Sequence, residues 1–284
     1  MSNENVIKSF KNQYALWLET AAIITAVAIL YSRVLNSLVE DWINLPDFSH
    51  GFVIPLLSLY VLYDRRMQFT HLKPEGSWWG LVLILFGLFV LNLGTLAMEN
   101  FTARFSLLIV IGGTVLFILG REYLKGCMFP IAYLIFMIPL PSILLDKITL
   151  PMQTIASNLS GSILQIIGIP VLREGNVLQL ANSSLEVAEA CSGIRSLISL
   201  LALSVVFAYF NQKTVTKRLL LVVSTFPIAI ISNTVRVAGT GILANHYGIA
   251  LAQGFFHTAS GWVLYIIAFF FLMFFGKIIG GDSR

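Results

Sequence analysis

Eight apolar runs, separated by short loops that hold most of the charge, leave this chain few ways to fold. They fall at Tyr14–Leu35, His50–Tyr63, Trp78–Met98, Phe105–Gly120, Gly126–Leu145, Ser192–Phe210, Leu219–Ile231 and Thr258–Gly276. Most approach the ~20 residues a helix needs to cross a hydrocarbon core ~30 Å thick. In that core every backbone N–H and C=O must be bonded internally, and a helix achieves this by itself. The reading is an all-α polytopic membrane protein with about eight transmembrane helices. The second and seventh runs are short, so their helices are expected to extend into flanking residues. Only 11% of the 284 residues are charged, against roughly 25% in soluble domains. That shortfall excludes a soluble enzyme, a disordered chain and a nucleic-acid binder. The first run exceeds the roughly 7–15 residues of a signal-peptide core and reads as a retained anchor.

Basic residues orient the spans. With the N-terminus in the cytoplasm, 12 of the 18 Lys and Arg fall on that side: Lys8, Lys11, Arg65, Arg66, Lys73, Arg121, Lys125, Lys213, Lys217, Arg218, Lys277 and Arg284. The bias fits the positive-inside rule, and the net charge of +4 is topology information rather than nucleic-acid affinity. Both termini are expected inside. The outer side receives Arg33, Arg104, Lys147, Arg173, Arg195 and Arg236. It also holds the longest stretch between spans, residues 146–190. Within it, Ile148–Gly168 reads as an amphipathic interfacial helix. Val177–Leu180 and Leu185–Ala188, around a turn at Ala181–Ser184, read as a small β-hairpin. Val237–Phe256 reads as a second interfacial segment. The whole of 1–284 is expected to be one integral-membrane domain, with no added soluble C-terminal domain.

Three groups far apart in sequence share the outer depth. Cys191 precedes the sixth run, Arg236 follows the seventh, and His257 opens the eighth. A nucleophile, a cation and a proton carrier on several helix ends suit covalent catalysis. Cys191 lies at an expected helix N-terminus, where unpaired N–H groups favour a thiolate. Arg195 adds a second cation nearby, and either Arg195 or Arg236 can face an oxyanion. His257 can take the thiol proton and return it to a leaving amine. Taken singly, each has a plain explanation. A free cysteine is commonly a packing residue, as Cys127 is expected to be. Arginine near lipid can snorkel, and Arg195 can pair with Glu189 or Glu186. His50 and His246 are also external, so His257 is not the only available base, whereas His71 falls inside. No HExxH or CxxC spacing supports a metal, and no cofactor is expected.

These residues carry a resemblance. Glu189-Ala-Cys-Ser-Gly-Ile-Arg195 resembles the nucleophile motif of the exosortase/archaeosortase family. Asn233-Thr-Val-Arg236 resembles its arginine motif, and Phe256-His257 its third motif. Asp47-Phe-Ser-His-Gly-Phe-Val-Ile-Pro55 is similar to an early signature of the family. The resemblance implies a membrane-embedded cysteine transpeptidase of a bacterial inner membrane, active on the outer side. It implies Cys191, Arg236 and His257 as catalytic residues; Arg195, Glu189, Glu186 and Asn233 are expected to bind substrate. The implied partners are membrane-anchored precursors ending in a Pro-Glu-Pro-type motif, an apolar helix and a basic tail. An acceptor nucleophile would complete the transfer. The competing readings are a secondary transporter, or an exopolysaccharide-export assembly subunit, without covalent chemistry.

Overall fold

Ile138-Pro-Leu-Pro141 stops one helix and starts another. Proline cannot donate to a helix and pushes the preceding residue toward extended backbone; Ile138 is extended, with ψ at 119°. The break divides the chain into two compact units, Met1–Pro139 and Leu140–Arg284. The computed structural model describes residues 21–23, 25–181, 183–186, 193–248 and 255–280, without the side chains of 193–196 and 255–260.

The first unit holds α1 (Ala21–Leu30), α2 (Ser32–Asn44), a 3-10 turn (Pro46–Phe52), α3 (Val53–Asp64), α4 (Arg66–Phe69), α5 (Trp78–Leu96), α6 (Asn100–Ile118), α7 (Arg121–Tyr133) and a second 3-10 turn (Leu134–Met137). The second holds α8 (Ser142–Ile166), β1 (Val171–Glu174), β2 (Val177–Leu180), β3 (Ser183–Glu186), α9 (Gly193–Asn211), α10 (Val215–Tyr247) and α11 (Phe255–Ile278).

Among the described residues, four helices are long and apolar enough to cross a membrane, or six if each of two bent pairs counts as one span. The chain is therefore an integral membrane protein, but these helices do not reach the eight spans read from the sequence. Residues 14–20 of the first run lie outside the described residues. The second run does not extend: α3 has 12 residues behind a 3-10 turn. The fifth run is broken at Pro139 and Pro141. The seventh does extend, into the 33 residues of α10.

In the first unit, α5 packs on α6 through glycines seven residues apart. A Cβ at Gly80, Gly87 or Gly94 would stand 2.3, 2.6 or 2.5 Å from α6 atoms of Phe117, Val110 and Ala103. Small residues let membrane helices approach closely. Arg104 of α6, 2% exposed, pairs with Asp41 of α2 at 2.6 Å and donates to the Ser37 hydroxyl at 2.9 Å. Removing one partner of such a pair leaves a buried charge uncompensated. Asp41→Asn should cost on the order of 3 kcal/mol, read as a lowered thermal midpoint in detergent.

Glu99 caps α6, accepting from the amides of Phe101 at 3.0 Å and Thr102 at 2.6 Å. Partial desolvation pushes its carboxyl up. The bonds from Thr102 and Phe101 and the nearby Arg104 charge outweigh that and hold it below the usual value of about 4.5. A depressed carboxyl stabilises the fold above its unfolded value and loses that contribution as pH falls through its folded value. Glu99→Ala should therefore cost about 0.5–1 kcal/mol at neutral pH. The two thermal midpoints should converge below about pH 4.5, where the wild-type cap also becomes protonated.

Trp42 of α2 and His50 of the early motif clasp the second 3-10 turn, which follows α7. Trp42 Nε1 donates to the Met137 carbonyl at 2.8 Å, and His50 Nε2 donates to that of Phe136 at 3.2 Å. Carbonyls at a helix end need such partners. Gly51 lies under the Trp42 indole, where a Cβ would come within 2.2 Å of Nε1.

Candidate functional site

The second unit builds the end that bears the candidate residues from α8, the sheet, and the C-terminal third of α10. Gly168, at φ +90°, closes α8 with Ile169 N donating to Leu164 O at 2.9 Å. Glycine takes this left-handed cap without penalty. The chain then enters an antiparallel sheet of order β1-β2-β3. Gly175-Asn176 makes the two-residue turn between β1 and β2, in which Glu174 pairs with Val177. The sequence reading expected only a hairpin; β1 is an additional strand. The second turn is also tighter than expected, because Leu180 pairs with Ser183 and both serines belong to β3.

Leu178 and Leu185 face each other across β2 and β3, fully buried with Leu164 of α8 and Val237 and Ala244 of α10. The sequence reading sets Val237–Phe256 apart from the seventh run as an interfacial segment. As far as Tyr247 it continues α10, whose small residues Ala238, Gly241 and Ala244 are buried. The sheet is thereby fixed on two helices. β3 ends at Glu186, five residues before Cys191.

Helix α10 is held on both sides near its candidate residues. Ser160 of α8 donates to the Thr234 carbonyl at 3.1 Å, and Ser232 donates to that of Leu264 on α11 at 3.4 Å. Asn233 lines a small cavity with Thr149 and Gln153 of α8 and Leu197 of α9. Its free volume is about 10 Å³, the lower limit for one water. Asn176 of the first sheet turn donates to Gln153 Oε1 at 3.1 Å, tying the sheet to that cavity's wall.

Arg236 reaches the other way. Its guanidinium lies on α11 at Gly261, where a Cβ would stand 3.1 Å from Nη2 and 3.4 Å from Cζ. Gly261 is four residues, one helical turn, after His257. The opposite ends of these helices are latched. Gln212 Nε2 donates to the Gly276 carbonyl at 2.9 Å, and Lys217 Nζ to that of Gly280 at 3.1 Å.

A family model described as transmembrane exosortase matches residues 42–274. The chain belongs to the transmembrane exosortase family. Comparison with curated proteins finds no match, and comparison with solved structures finds none. In this exosortase the matched region takes in the sheet, α8 to α10 and all but the last turn of α11.

Within that region Arg236 and Asn233 are half-buried on α10, and Glu186 is exposed at the end of β3. Arg195 belongs to the first turn of α9 and His257 to the first turn of α11, with side chains outside the described ones. Cys191 and Glu189 lie outside the described residues. Of the other histidines, His50 is engaged with Phe136, while His246 is exposed and donates from Nδ1 to Ile242 O of its own helix at 3.0 Å. Cys127 is free and half-buried on α7. Sequence reasoning missed Gly261 and Gln153. The available signal for Gly261 was a glycine one turn after His257, beside the bulky Trp262, Leu264 and Tyr265.

Proposed function

We propose that this exosortase is a membrane cysteine transpeptidase, with its two units serving as one domain across 1–284. It sits in a bacterial inner membrane with both termini cytoplasmic and its site on the outer side. The substrate is an exported precursor whose C-terminal signal combines a Pro-Glu-Pro-type motif, an apolar helix and a basic tail. Its apolar helix inserts beside the enzyme helices, and its scissile peptide emerges at the depth of Cys191.

His257 takes the Cys191 proton, and the thiolate attacks the scissile carbonyl carbon. Arg236 stabilises the resulting oxyanion. The C–N bond breaks, His257 returns the proton to the leaving amine, and an acyl thioester remains on Cys191. An acceptor nucleophile displaces the thiol and completes the transfer. Arg195, Glu186, Glu189 and Asn233 bind substrate. The outer edge of β3 takes extended substrate backbone by strand addition. The observation that carries this reading is the Arg236 guanidinium resting on α11 one turn from His257.

The test is co-expression with a tagged precursor ending in Pro-Glu-Pro, an apolar helix and a basic tail. A size shift that requires Cys191, and a thioester released by hydroxylamine, support the reading. A second reading, a secondary transporter, draws on the interrupted helix at Pro139 and Pro141, since broken helices mark transporter sites. It requires the precursor to stay at full length with the wild-type enzyme.

A further inference from the structure

Glycine is a poor choice inside a helix unless its missing side chain makes room for something. At Gly261 of α11 the nearest neighbour is one group. The three nearest atoms to a Cβ built on Gly261 are Nη2, Cζ and Nη1 of Arg236, at 3.1, 3.4 and 3.8 Å. No backbone and no other side chain is among them. The contact is therefore not a helix crossing like those of Gly80 or Gly94, where the nearest atoms belong to the partner backbone. It is a notch filled by a guanidinium.

The backbone supporting Arg236 is held as well. Ser232 Oγ binds the Leu264 carbonyl, so α10 is tied to α11 one turn before Arg236 and just beyond the notch. Thr240 Oγ1 binds the Arg236 carbonyl at 2.9 Å. Position along α10 and depth of the side chain on α11 are thus set by separate contacts. A preorganised donor is effective only when aimed at the site of developing charge, and misplacement by ~1 Å can cost ~10²-fold.

We propose that Gly261 is a positioning residue, whose bare Cα seats the Arg236 guanidinium one turn from His257 and so aims it at the scissile carbonyl. This rests on the transpeptidase reading above. The contact distances grade the substitutions. At 3.1 Å an alanine Cβ forces Arg236 to give by a few tenths of an ångström, and valine fills the notch.

The test uses the full chain in detergent with the tagged precursor, comparing wild type, Gly261→Ala, Gly261→Val and Arg236→Gln. Gly261→Val should lower kcat by about tenfold or more, with KM within twofold. Gly261→Ala should fall between it and wild type. Alanine is the better helix former, so its thermal midpoint should match or exceed wild type while its activity falls. Modification of Arg236 by phenylglyoxal, followed by mass spectrometry, should be several-fold faster in Gly261→Val. Gly261→Val cleaving within twofold of wild type, while Arg236→Gln is inactive, would overturn the seat but not the transpeptidase. Arg236→Gln cleaving normally would overturn the role of Arg236 and with it that of Gly261.

Discussion

Cys191→Ala should reduce precursor cleavage by at least about 10³-fold, to the level left when a covalent nucleophile is removed and only binding and oxyanion contacts remain. The loss should be in chemistry rather than in folding. Alanine is a small apolar replacement, and Leu164, Leu178 and Leu185 hold the sheet. The variant should therefore insert normally and keep its thermal midpoint. It should also still bind the precursor, so a stable complex of uncleaved precursor and enzyme is the expected product of co-purification. Full cleavage by Cys191→Ala would remove the covalent mechanism.

Arg236→Gln should lower kcat by about 10²–10³-fold, the range found when one oxyanion donor is lost. On the proposed mechanism the charge is needed most in the tetrahedral intermediate, so KM should change little. Arg236→Lys should not restore the rate. A guanidinium is a planar fork that meets Gly261 with Nη2 nearest, whereas an ammonium is a compact, strongly hydrated point charge. Equal losses in kcat/KM with unchanged kcat would assign Arg236 to ground-state binding instead.

The long apolar helices were the most legible parts of the chain, because a sustained apolar run in a membrane leaves a helix as the backbone that satisfies itself. The runs at Trp78, Phe105, Ser192 and Thr258 all match helices within a few residues. The Pro139-Leu-Pro141 break was written in the fifth run but outweighed by the apolar residues around it. The C-terminal end of α10 was not legible as helix for a different reason. Ala238, Gly239, Thr240, Gly241 and Ala244 look weakly apolar, yet several of them are buried against protein rather than lipid. β2 was legible from the alternation in Val177-Leu-Gln-Leu180. β1 was not, since Leu172, Arg173 and Glu174 are all exposed and only pairing with β2 holds them.

In the candidate site, Arg236 is a charge between Val235 and Val237 in sequence, and its guanidinium lies against Gly261 of α11. Gly261 carries no chemical group at all, so its part becomes visible only when the neighbour that fills its space is known. Gln153 was hidden in the same way, because its link to Asn176 joins residues 23 positions apart across a turn.

The 33 residues of α10 measure about 50 Å. Tilted by about 40°, the upper end for membrane helices, such a rod still rises about 38 Å, more than the ~30 Å of acyl chains around it. It cannot be wholly submerged. With Lys217 and Arg218 of its first turn placed at headgroup level, as basic residues at span ends are, the surplus would emerge at the end that bears Arg236 and the sheet. A transpeptidase built on such a mast would hold its thioester clear of the oil, within reach of an acceptor arriving through water.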